Sequence, residues 1–257
     1  MEIEGKKAII VGGASGFGKA TAELLAKRGA SVAVLDRPQS KGHEVADSIG
    51  GIFHNVDVTD FSGTEQALQE AIDALGGLHI VVTTAGGTTA GGGIGERTVK
   101  RDGPHDLESF RTTQDLNVVG TFNISRLAAW HMSKNDPEDD ERGVIINTSS
   151  IAAFEGQIGQ IAYSASKAAI AGMCLTMARD LGSLGIRVLA IAPSLFATGL
   201  TQGIPDDFAA QLTKDAAFPK RLGRPEEYAK LAAAIVENPM LNGQCIRLDA
   251  GQRFAPK

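Results

Sequence analysis

The segment Lys7–Gly18 reads KAIIVGGASGFG. Its first half is a short, continuous apolar run, which is typical of a strand buried on both faces of a parallel sheet. Its second half is a glycine-rich turn. The residues that follow, Lys19–Arg28, have helical spacing and stop at Gly29, a common helix-ending residue. The segment therefore predicts a strand, a tight turn and a helix, the unit that opens doubly wound α/β folds.

The same alternation continues along the chain. Further apolar runs predict strands at Ser31–Leu35, Ile52–Asn55, Leu78–Val82, Val144–Thr148, Arg187–Ile191 and Gln244–Leu248. Helical patterns predict helices at Lys41–Ile49, Ser62–Leu75 and Leu107–Met132. The pattern indicates an α/β fold, a single-domain Rossmann-type doubly wound parallel sheet over residues 1–257. We expect residues 1 to about 143 to form the cofactor half and the remainder the catalytic and substrate half.

One long segment interrupts this alternation. Gly86–Pro104 reads GGTTAGGGIGERTVKRDGP and has neither helical nor strand periodicity. Unstructured segments of this length inside a compact domain are usually functional or disordered. Because the segment follows a predicted strand at the carboxyl edge of the sheet, where open α/β sheets bind ligands, we expect it to border a ligand site.

Composition narrows the classes of function. Of 257 residues, 43% are hydrophobic and 21% charged, as in ordinary globular proteins, and the net charge of -5 gives no general attraction to nucleic acid or anionic membranes. No apolar run reaches the length of a membrane span, so we expect no membrane partner. The two distant cysteines form no disulfide framework, and the scattered histidines have no metal-ligand spacing. With no evident targeting segment, we expect a cytoplasmic protein without a metal.

The turn after the first strand has the spacing GxxxGxG, formed by Gly12, Gly16 and Gly18. Glycines allow a tight turn and a close approach of the main chain to a pyrophosphate. The N-terminus of the following helix offers unpaired N–H groups and the positive end of its dipole. We therefore predict a dinucleotide site, although an ordinary strand-to-helix turn can contain the same glycines.

Asp36 ends the second predicted strand, 18 residues beyond Gly18. A carboxylate at this place can bind the ribose hydroxyls of the adenosine half and would repel a 2′-phosphate, which predicts NAD rather than NADP. Two readings oppose this. The adjacent Arg37 could weaken the preference, and Asp36 could be a plain turn residue before Pro38.

Tyr163 and Lys167 are four residues apart at the start of a helical stretch, so they share a helix face. A free phenol has a pKa of about 10, and a nearby ammonium group favours the phenolate that a general base needs. Ser150, 13 residues upstream, follows a predicted strand and therefore lies at the carboxyl edge of the sheet. Ser149 is the alternative active hydroxyl, but the 13-residue spacing favours Ser150.

These features together resemble the short-chain dehydrogenases/reductases, on the glycine-rich turn, Asp36, Asp57-Val58, Asn117 within LNVVGT, Ser150 and YSASK. The resemblance covers essentially the whole chain. It implies hydride transfer between a secondary alcohol and NAD. Tyr163 would exchange the proton, Ser150 would hold the substrate oxygen, and Lys167 would bind the nicotinamide ribose and lower the pKa of Tyr163.

The resemblance also implies a set of cofactor contacts. Asn117 would anchor a water molecule in the proton relay, Asp57 would contact the adenine amine, and Thr198 would contact the carboxamide. The implied contacts are Gly12, Ser15, Gly16, Phe17, Gly18, Asp36, Asp57, Val58, Ala85, Gly86, Tyr163, Lys167, Pro193, Phe196 and Thr198. Simpler roles stay open, with Asn117 capping an irregular turn and Asp57 acting as a turn residue before Thr59.

Three positions depart from the family pattern. Val11 stands where the family usually has Thr, Thr83-Thr84-Ala85-Gly86 stands in place of NNAG, and Ser194 follows Pro193 where Gly is usual. The usual residues at the first two positions support the glycine-rich loop by hydrogen bonds. We expect the loop to be held differently here, with consequences for cofactor affinity more than for the reaction.

The second half has a narrower resemblance. SSIAAFEGQIGQIAYSASK and FPKRLGRPEEYAKLAAAIVENPMLNGQCIRLDAG are similar to type-2 3-hydroxyacyl-CoA dehydrogenases, also known as type-10 17β-hydroxysteroid dehydrogenases. This implies a homotetramer of fatty acid metabolism that converts 3-hydroxyacyl-CoA to 3-oxoacyl-CoA. The expected substrate contacts are Ser150, Phe154, Gln157, Tyr163, Leu195 and Leu200, with Phe196 and Phe208 extending the apolar wall. Lys100 and Arg101 would either meet the CoA phosphates or be solvated surface charges.

Other functions stay open. A hydroxysteroid or other secondary-alcohol dehydrogenase would use the same catalytic residues. A 3-oxoacyl carrier-protein reductase would share the fold, but Asp36 argues against the NADPH that such reductases mostly use. A non-catalytic NAD-binding scaffold is disfavoured because Ser150, Tyr163 and Lys167 are all present.

Overall fold

The computed structural model describes residues 1–88, 96–201 and 203–256. The strands are β1 (Lys7–Val11), β2 (Ser31–Asp36), β3 (Ile52–Asn55), β4 (Ile80–Thr83), β5 (Val99–Lys100), β6 (Gly103–Pro104), β7 (Gly143–Thr148), β8 (Ile186–Pro193) and β9 (Cys245–Leu248). Seven of them form one parallel sheet in the order β3-β2-β1-β4-β7-β8-β9, and β5 pairs with β6 in a short antiparallel hairpin. The order reverses between β1 and β4, and at such a point open α/β sheets bind ligands.

Helices cover both faces of the sheet. They are α1 (Gly16–Lys27), α2 (Gly42–Ser48), α3 (Phe61–Leu75), α4 (Leu107–Gln114), α5 (Gly120–Met132), α6 (Ile161–Leu181), α7 (Asp206–Leu212) and α8 (Pro225–Glu237). The long helix predicted over Leu107–Met132 forms, but a π-helical turn at Asp115–Val119 separates α4 from α5.

The continuous apolar runs reflect burial on both sides of the sheet. In β1, Ile9 is fully buried in the core under α3, α5 and α6, where it joins Ile124. The next residue, Ile10, is fully buried on the opposite face, where it joins Leu25 of α1 and Tyr228 of α8. Neither face of the central strands meets water, so alternation with polar residues is absent from their sequences.

The predicted unstructured segment Gly86–Pro104 is only partly irregular. Its last residues form the hairpin of β5 and β6, and Glu96 makes an isolated bridge to Gln160, just before α6. The hairpin strands have two residues each, too short to show any periodicity in the sequence. Residues 89–95 of the segment lie outside the described part of the structure.

One helical stretch of the described chain, Ile161–Leu184, has the length and composition of a membrane span, with a mean hydropathy of 1.2. The sequence predicts no membrane span, because no continuous apolar run is long enough. In the fold, Ile170 and Cys174 of this stretch pack on Ala190 of β8. A helix that packs against its own sheet satisfies the same criteria, so length and composition alone do not make it a span.

Candidate active site

The glycine-rich turn has no room for side chains. Gly12 and Gly16 have φ values of +81° and +48°, in the region that favours glycine. A Cβ atom on Gly12 would lie 2.5 Å from the main-chain nitrogen of Ala85, and one on Gly18 would lie 2.1 Å from the oxygen of Gly12. The Ser15 side chain does not cap α1, so the first amides of that helix are left for another acceptor.

Thr84, in the segment after β4 that departs from the family pattern, helps to hold the glycine-rich turn. Its hydroxyl donates toward the main-chain oxygens of Val11 and Gly12, both at 3.1 Å. The amide of Ala14 donates to Asp36 Oδ2 at 2.9 Å, which ties the turn to the end of β2. The turn is therefore held by a threonine hydroxyl and a carboxylate. The neighbouring Thr83 hydroxyl is buried and has no hydrogen-bond partner among the described residues.

A cavity of about 390 Å³ lies on one side of the turn. Residues at or after four strand ends, and one residue of the π-helical turn, line it: Gly12, Ser15, Asp36, Arg37, Val56, Asp57, Val58, Thr59, Thr84, Ala85, Gly86, Gly87, Thr88 and Leu116. Asp57 Oδ1 accepts hydrogen bonds from the amide and hydroxyl of Thr59, at 2.9 and 2.6 Å, and these bonds lower the pKa of Asp57. Asp57 is thus a turn residue, as the simpler reading held, and also part of the cavity wall.

A second cavity, of about 330 Å³, lies on the other side of the same turn. Its lining is Gly12, Ser15, Gly16, Phe17, Thr84, Gly86, Gly87, Thr148, Ser149, Ser150, Tyr163, Lys167, Pro193, Ser194, Phe196, Thr198 and Gly199. The structure therefore brings Ser150, Tyr163 and Lys167 together at one wall. They share the cavity with the turn at the start of α1, more than 130 residues away in sequence.

Hydrogen bonding distinguishes Ser150 from Ser149. The Ser150 hydroxyl is bonded to Tyr163 and accepts the amide of Ala152 at 3.1 Å. The Ser149 hydroxyl is buried and donates to the main-chain oxygen of Lys167 at 2.7 Å. Ser149 therefore supports α6, and Ser150 is the hydroxyl paired with the phenol.

Lys167 is buried beneath the tyrosine. Its Nζ donates to the main-chain oxygen of Thr148 at 3.0 Å and lies 5.7 Å from the centroid of the Tyr163 ring. Burial disfavours the charged form and lowers the pKa of Lys167 from 10.5 to about 8. At pH 7 the ammonium is therefore still mostly protonated, and a positive charge lies close to the phenol.

The tyrosine behaves differently from the expectation. Burial is the largest influence on the pKa of Tyr163 and raises it, whereas the hydrogen bond with Ser150 lowers it. Lys167 is not among the groups that shift the pKa of Tyr163, so the depressed pKa expected from the lysine is not found. A cationic ligand over the phenol would lower the pKa of Tyr163, which is the effect expected of Lys167.

Asn117 is fully buried in the π-helical turn. Its side chain accepts the amide of Gly87 at 2.9 Å and donates to the oxygen of Gly87 at 2.8 Å. A Cβ atom on Gly86 would lie 2.6 Å from Asn117 Oδ1 and 3.4 Å from Lys167 Nζ, so these three residues meet. Asn117 does lie in an irregular helical turn, but its side chain bonds to Gly87 rather than capping that turn. Its role toward water stays a prediction.

Several residues of the site have no signal in the sequence. Thr148 Oγ1 donates to the main-chain oxygen of Thr83 at 2.6 Å and is bonded to the hydroxyl of Tyr228 at 2.7 Å. The Tyr228 ring stacks on Phe17 with centroids 4.5 Å apart, and Phe17 meets Phe196 edge-on. Tyr228 thus supports both the turn and the end of β7. A buried tyrosine in α8 has no motif that would announce this.

Several of the predicted substrate contacts lie away from the two cavities. Neither cavity is lined by Phe154, Gln157 or Leu195, and Phe154 and Phe208 are 52% and 54% exposed. Gln157 Nε2 donates to the main-chain oxygen of Ala255 at 3.1 Å. The side chain of Leu200 lies outside the described part of the structure.

The remaining predictions concern two basic residues, Gly18 and metal binding. Lys100 lies 3.9 Å from Glu96, and Arg101 is exposed. Gly18 lines neither cavity and serves the close contact of α1 with β1. Within residues 1–88, 96–201 and 203–256, no group of three His, Cys, Asp or Glu side chains could hold a metal ion.

Comparison with known proteins agrees with this geometry. The family model described as short chain dehydrogenase matches residues 6–209. The 3-hydroxyacyl-CoA dehydrogenase type-2 of Drosophila melanogaster is 49% identical over 257 residues, which cover 99% of this chain and 100% of that protein. The crystal structure of 3-hydroxyacyl-CoA dehydrogenase type-2 from Mycobacterium avium is 40% identical, with a TM-score of 0.92 and 100% coverage of both chains.

A more distant structure shares the fold over nearly the whole chain. A 7α-hydroxysteroid dehydrogenase complexed with NADH and 7-oxo glycochenodeoxycholic acid is 30% identical, with a TM-score of 0.86 and coverage of 100% of this chain and 97% of that one. The predictions of a short-chain dehydrogenase/reductase and of a Rossmann-type sheet are confirmed by these matches. The protein belongs to the short-chain dehydrogenase family of oxidoreductases.

Proposed function

We propose that this enzyme oxidises 3-hydroxyacyl-CoA to 3-oxoacyl-CoA with NAD. The observation that supports the reaction type is the Ser150–Tyr163 hydroxyl pair, in a cavity shared with the glycine-rich turn. The substrate class is supported by relatives named 3-hydroxyacyl-CoA dehydrogenase type-2 that match the chain from end to end. Oxidation of a secondary alcohol needs an acid/base group at its oxygen, and the pair supplies one.

The chain's own residues have distinct tasks in this reaction. Ser150 donates a hydrogen bond to the substrate oxygen, and Tyr163 accepts the hydroxyl proton as the carbonyl forms. The phenolate form that this requires would be favoured by a cationic ligand over the ring, against the burial that raises the pKa of Tyr163. Lys167 is mostly protonated at pH 7 and stabilises the phenolate electrostatically. Bound NAD supplies the acceptor for the hydride that leaves the substrate carbon.

The shape of the first turn fits a dinucleotide. The positive φ values of Gly12 and Gly16, and the lack of space for a Cβ atom at Gly12, leave main chain exposed to the cavity rather than side chains. The uncapped start of α1 suits a pyrophosphate. Asp36, at the cavity wall, supports NAD over NADP because its carboxylate would repel a 2′-phosphate. The related steroid dehydrogenase is complexed with NADH.

The wider assignments extend the same proposal. Lys100 and Arg101, on the hairpin after β4, would meet the CoA phosphates, and the enzyme would act as a cytoplasmic homotetramer of fatty acid metabolism. Exposed apolar side chains on α5 and α6, including Phe122, Trp130 and Leu175, support contact between subunits. Size-exclusion chromatography with light scattering would test the tetramer, and a monomer at micromolar concentration would contradict it.

A substrate panel tests the proposed reaction. NADH formation is followed by absorbance with 3-hydroxybutyryl-CoA, longer 3-hydroxyacyl-CoAs and steroid alcohols side by side. We expect turnover with the acyl-CoAs, and loss of this turnover in Tyr163→Phe with NADH binding retained. Activity on a steroid with none on any acyl-CoA would overturn the substrate class and leave the reaction type standing.

A hydroxysteroid dehydrogenase is the second candidate. The 7α-hydroxysteroid dehydrogenase that shares this fold supports it, and the same catalytic residues would serve. A 3-oxoacyl carrier-protein reductase is less favoured because Asp36 opposes NADPH. The relative affinities for NADH and NADPH would separate that candidate from the first two.

A further inference from the structure

Residues 151–160 connect the two catalytic hydroxyls, because they begin directly after Ser150 and end at the start of α6, which contains Tyr163. Arg247 and residues 253–256, near the end of the sequence, contact this loop. We propose that Glu155 is a positioning residue, clamped by Arg247 and Arg253, that holds this loop and sets the affinity for the acyl substrate. This inference rests on the proposed function and concerns residues that neither the motifs nor the reaction identify.

Glu155 is the point where the loop meets the end of the chain. Its Oε1 lies 2.8 Å from Arg247 Nη1 and 3.3 Å from Arg253 Nε. Its Oε2 accepts the amide of Phe254 at 3.0 Å. The Glu155 side chain is only 20% exposed, so its charge has little water to replace these partners.

Asp249 closes the charged group into a ring. Its Oδ2 lies 2.6 Å from Arg247 Nε and 3.0 Å from Arg253 Nη1. Each guanidinium therefore bridges two carboxylates, Glu155 in the loop and Asp249 after β9. The planar fork of arginine suits such double contacts, and a network of this kind is worth more than an isolated surface pair.

Two further bonds fasten the loop to the last residues. Gln157 Nε2 donates to the oxygen of Ala255 at 3.1 Å, and the amide of Ile158 donates to the oxygen of Pro256 at 3.0 Å. On its other side the loop touches α6 directly, since a Cβ atom on Gly156 would lie 2.4 Å from Ser164 Oγ. The loop is thus held between the C-terminal residues and the turn of α6 beside the catalytic tyrosine.

The same C-terminal residues also hold the segment around α7. Gln252 Nε2 donates to the oxygen of Leu212 at 2.9 Å, and the amide of Ala217 donates to the oxygen of Ala250 at 2.9 Å. The end of the chain therefore joins the two segments that contain the expected substrate contacts Phe154, Gln157 and Phe208. Arg247 also lies 5.5 Å from the Phe154 ring.

The clamp has a consequence for kinetics. Glu155, Arg247 and Arg253 line neither cavity beside the glycine-rich turn. Release of the loop should therefore weaken binding of the acyl substrate without changing the NADH site. The expected result is a rise in KM for substrate, with kcat and the Kd for NADH held close to those of the unmodified enzyme.

The test uses Glu155→Gln in the full chain, which keeps the side-chain size and removes the charge. We expect about a tenfold rise in KM for 3-hydroxybutyryl-CoA, with kcat and NADH Kd within about twofold, because loss of one charged contact of about 1.4 kcal/mol corresponds to tenfold. The control is Glu237→Gln. Glu237 also pairs with an arginine, Arg28, at 2.7 Å, and we expect no change in KM.

Hydrogen–deuterium exchange gives a reading that does not depend on the substrate. In Glu155→Gln we expect faster exchange in residues 151–160 and 253–256, and no change there in Glu237→Gln. Equal exchange and equal KM in Glu155→Gln and the unmodified enzyme would overturn the clamp. So would a parallel loss of NADH binding in a folded variant, because the clamp is proposed to act on the substrate side without changing the NADH site.

The outcomes separate the clamp from the proposed function. If no acyl-CoA is oxidised, the proposed substrate fails, and the exchange experiment still decides the clamp. If Glu155→Gln does not fold, Arg253→Gln takes its place. The Arg253 side chain is 60% exposed, so its substitution should disturb the core little, and it removes one of the two arginines from the charged group. Unchanged exchange in that variant would overturn the clamp.

Discussion

The two sides of the active site are built by different means. On the dinucleotide side, strand ends and main-chain bonds form the wall: the amide of Gly12 donates to the oxygen of Leu35 at 2.8 Å, and the Thr84 hydroxyl holds the next residues. On the proposed substrate side, charged side chains such as Glu155 and Arg247 hold the loops, and Phe154 is about half exposed. A main-chain wall presents one shape, whereas a side-chain wall changes with each substitution. The first suits a common cofactor and the second a particular substrate.

The largest expected effect is at the junction of the two sides. Tyr163→Phe removes the proton acceptor without altering either wall, so kcat should fall by about 10²–10⁴ for every substrate. The Kd for NADH should stay within about twofold. Steady-state kinetics and fluorescence titration would measure both, and an unchanged turnover rate would remove Tyr163 from its proposed role.

Lys167 provides a pH-dependent test of burial at the same junction. Its pKa falls from 10.5 to about 8 in the folded protein, so above pH 8 the unfolded chain binds more protons than the folded one. The free energy of unfolding should therefore rise by about 3 kcal/mol between pH 8 and 10.5 because of this group.

The variant Lys167→Met isolates that contribution, because other titrating groups cancel in the difference. The free energy of unfolding of the unmodified protein, minus that of the variant, should rise by about 2–3 kcal/mol between pH 7 and pH 10. Guanidinium unfolding at each pH measures this. A difference that does not change with pH would show that the lysine is not desolvated.

Gly18→Ala tests how tightly the main-chain wall is built. A Cβ atom would lie 2.1 Å from the oxygen of Gly12, so we expect a loss of about 1–3 kcal/mol in stability and weaker NADH binding. Gly172→Ala is the matched control. A Cβ atom at Gly172 in α6 has no neighbour within 4 Å, and this variant should gain about 0.5–1 kcal/mol. Equal stabilities of the two variants would contradict the close contact.

The smallest expected effect concerns cofactor choice. Asp36→Ala removes the carboxylate that opposes a 2′-phosphate, and the ratio of NADH to NADPH affinity should fall about tenfold, or about 1.4 kcal/mol. The KM for the hydroxyacyl substrate should not change, since Asp36 lines only the cavity farther from Tyr163. An unchanged cofactor ratio would assign Asp36 to the turn alone, through its bond with Ala14.

Prediction from the sequence was most accurate where structure is local and buried. All seven strands of the parallel sheet were found within two residues of their bounds. Their apolar runs follow from burial on both faces. The hairpin of β5 and β6 was missed because two-residue strands have no period, and the π-helical turn at Asp115–Val119 was missed because it preserves the general helical pattern.

The sequence alone determined the parallel α/β fold and the glycine-rich turn, because both depend on residues close together in the chain. It also predicted the catalytic set of Ser150, Tyr163, Lys167 and Asn117, which stays a prediction. Only the tertiary structure showed that the Ser150 hydroxyl meets Tyr163 while Ser149 binds α6, and that burial raises the pKa of the tyrosine. It also revealed the clamp between Glu155 and Arg247. Ion pairs and desolvation depend on distances between segments that lie far apart in sequence, and no local pattern encodes those distances.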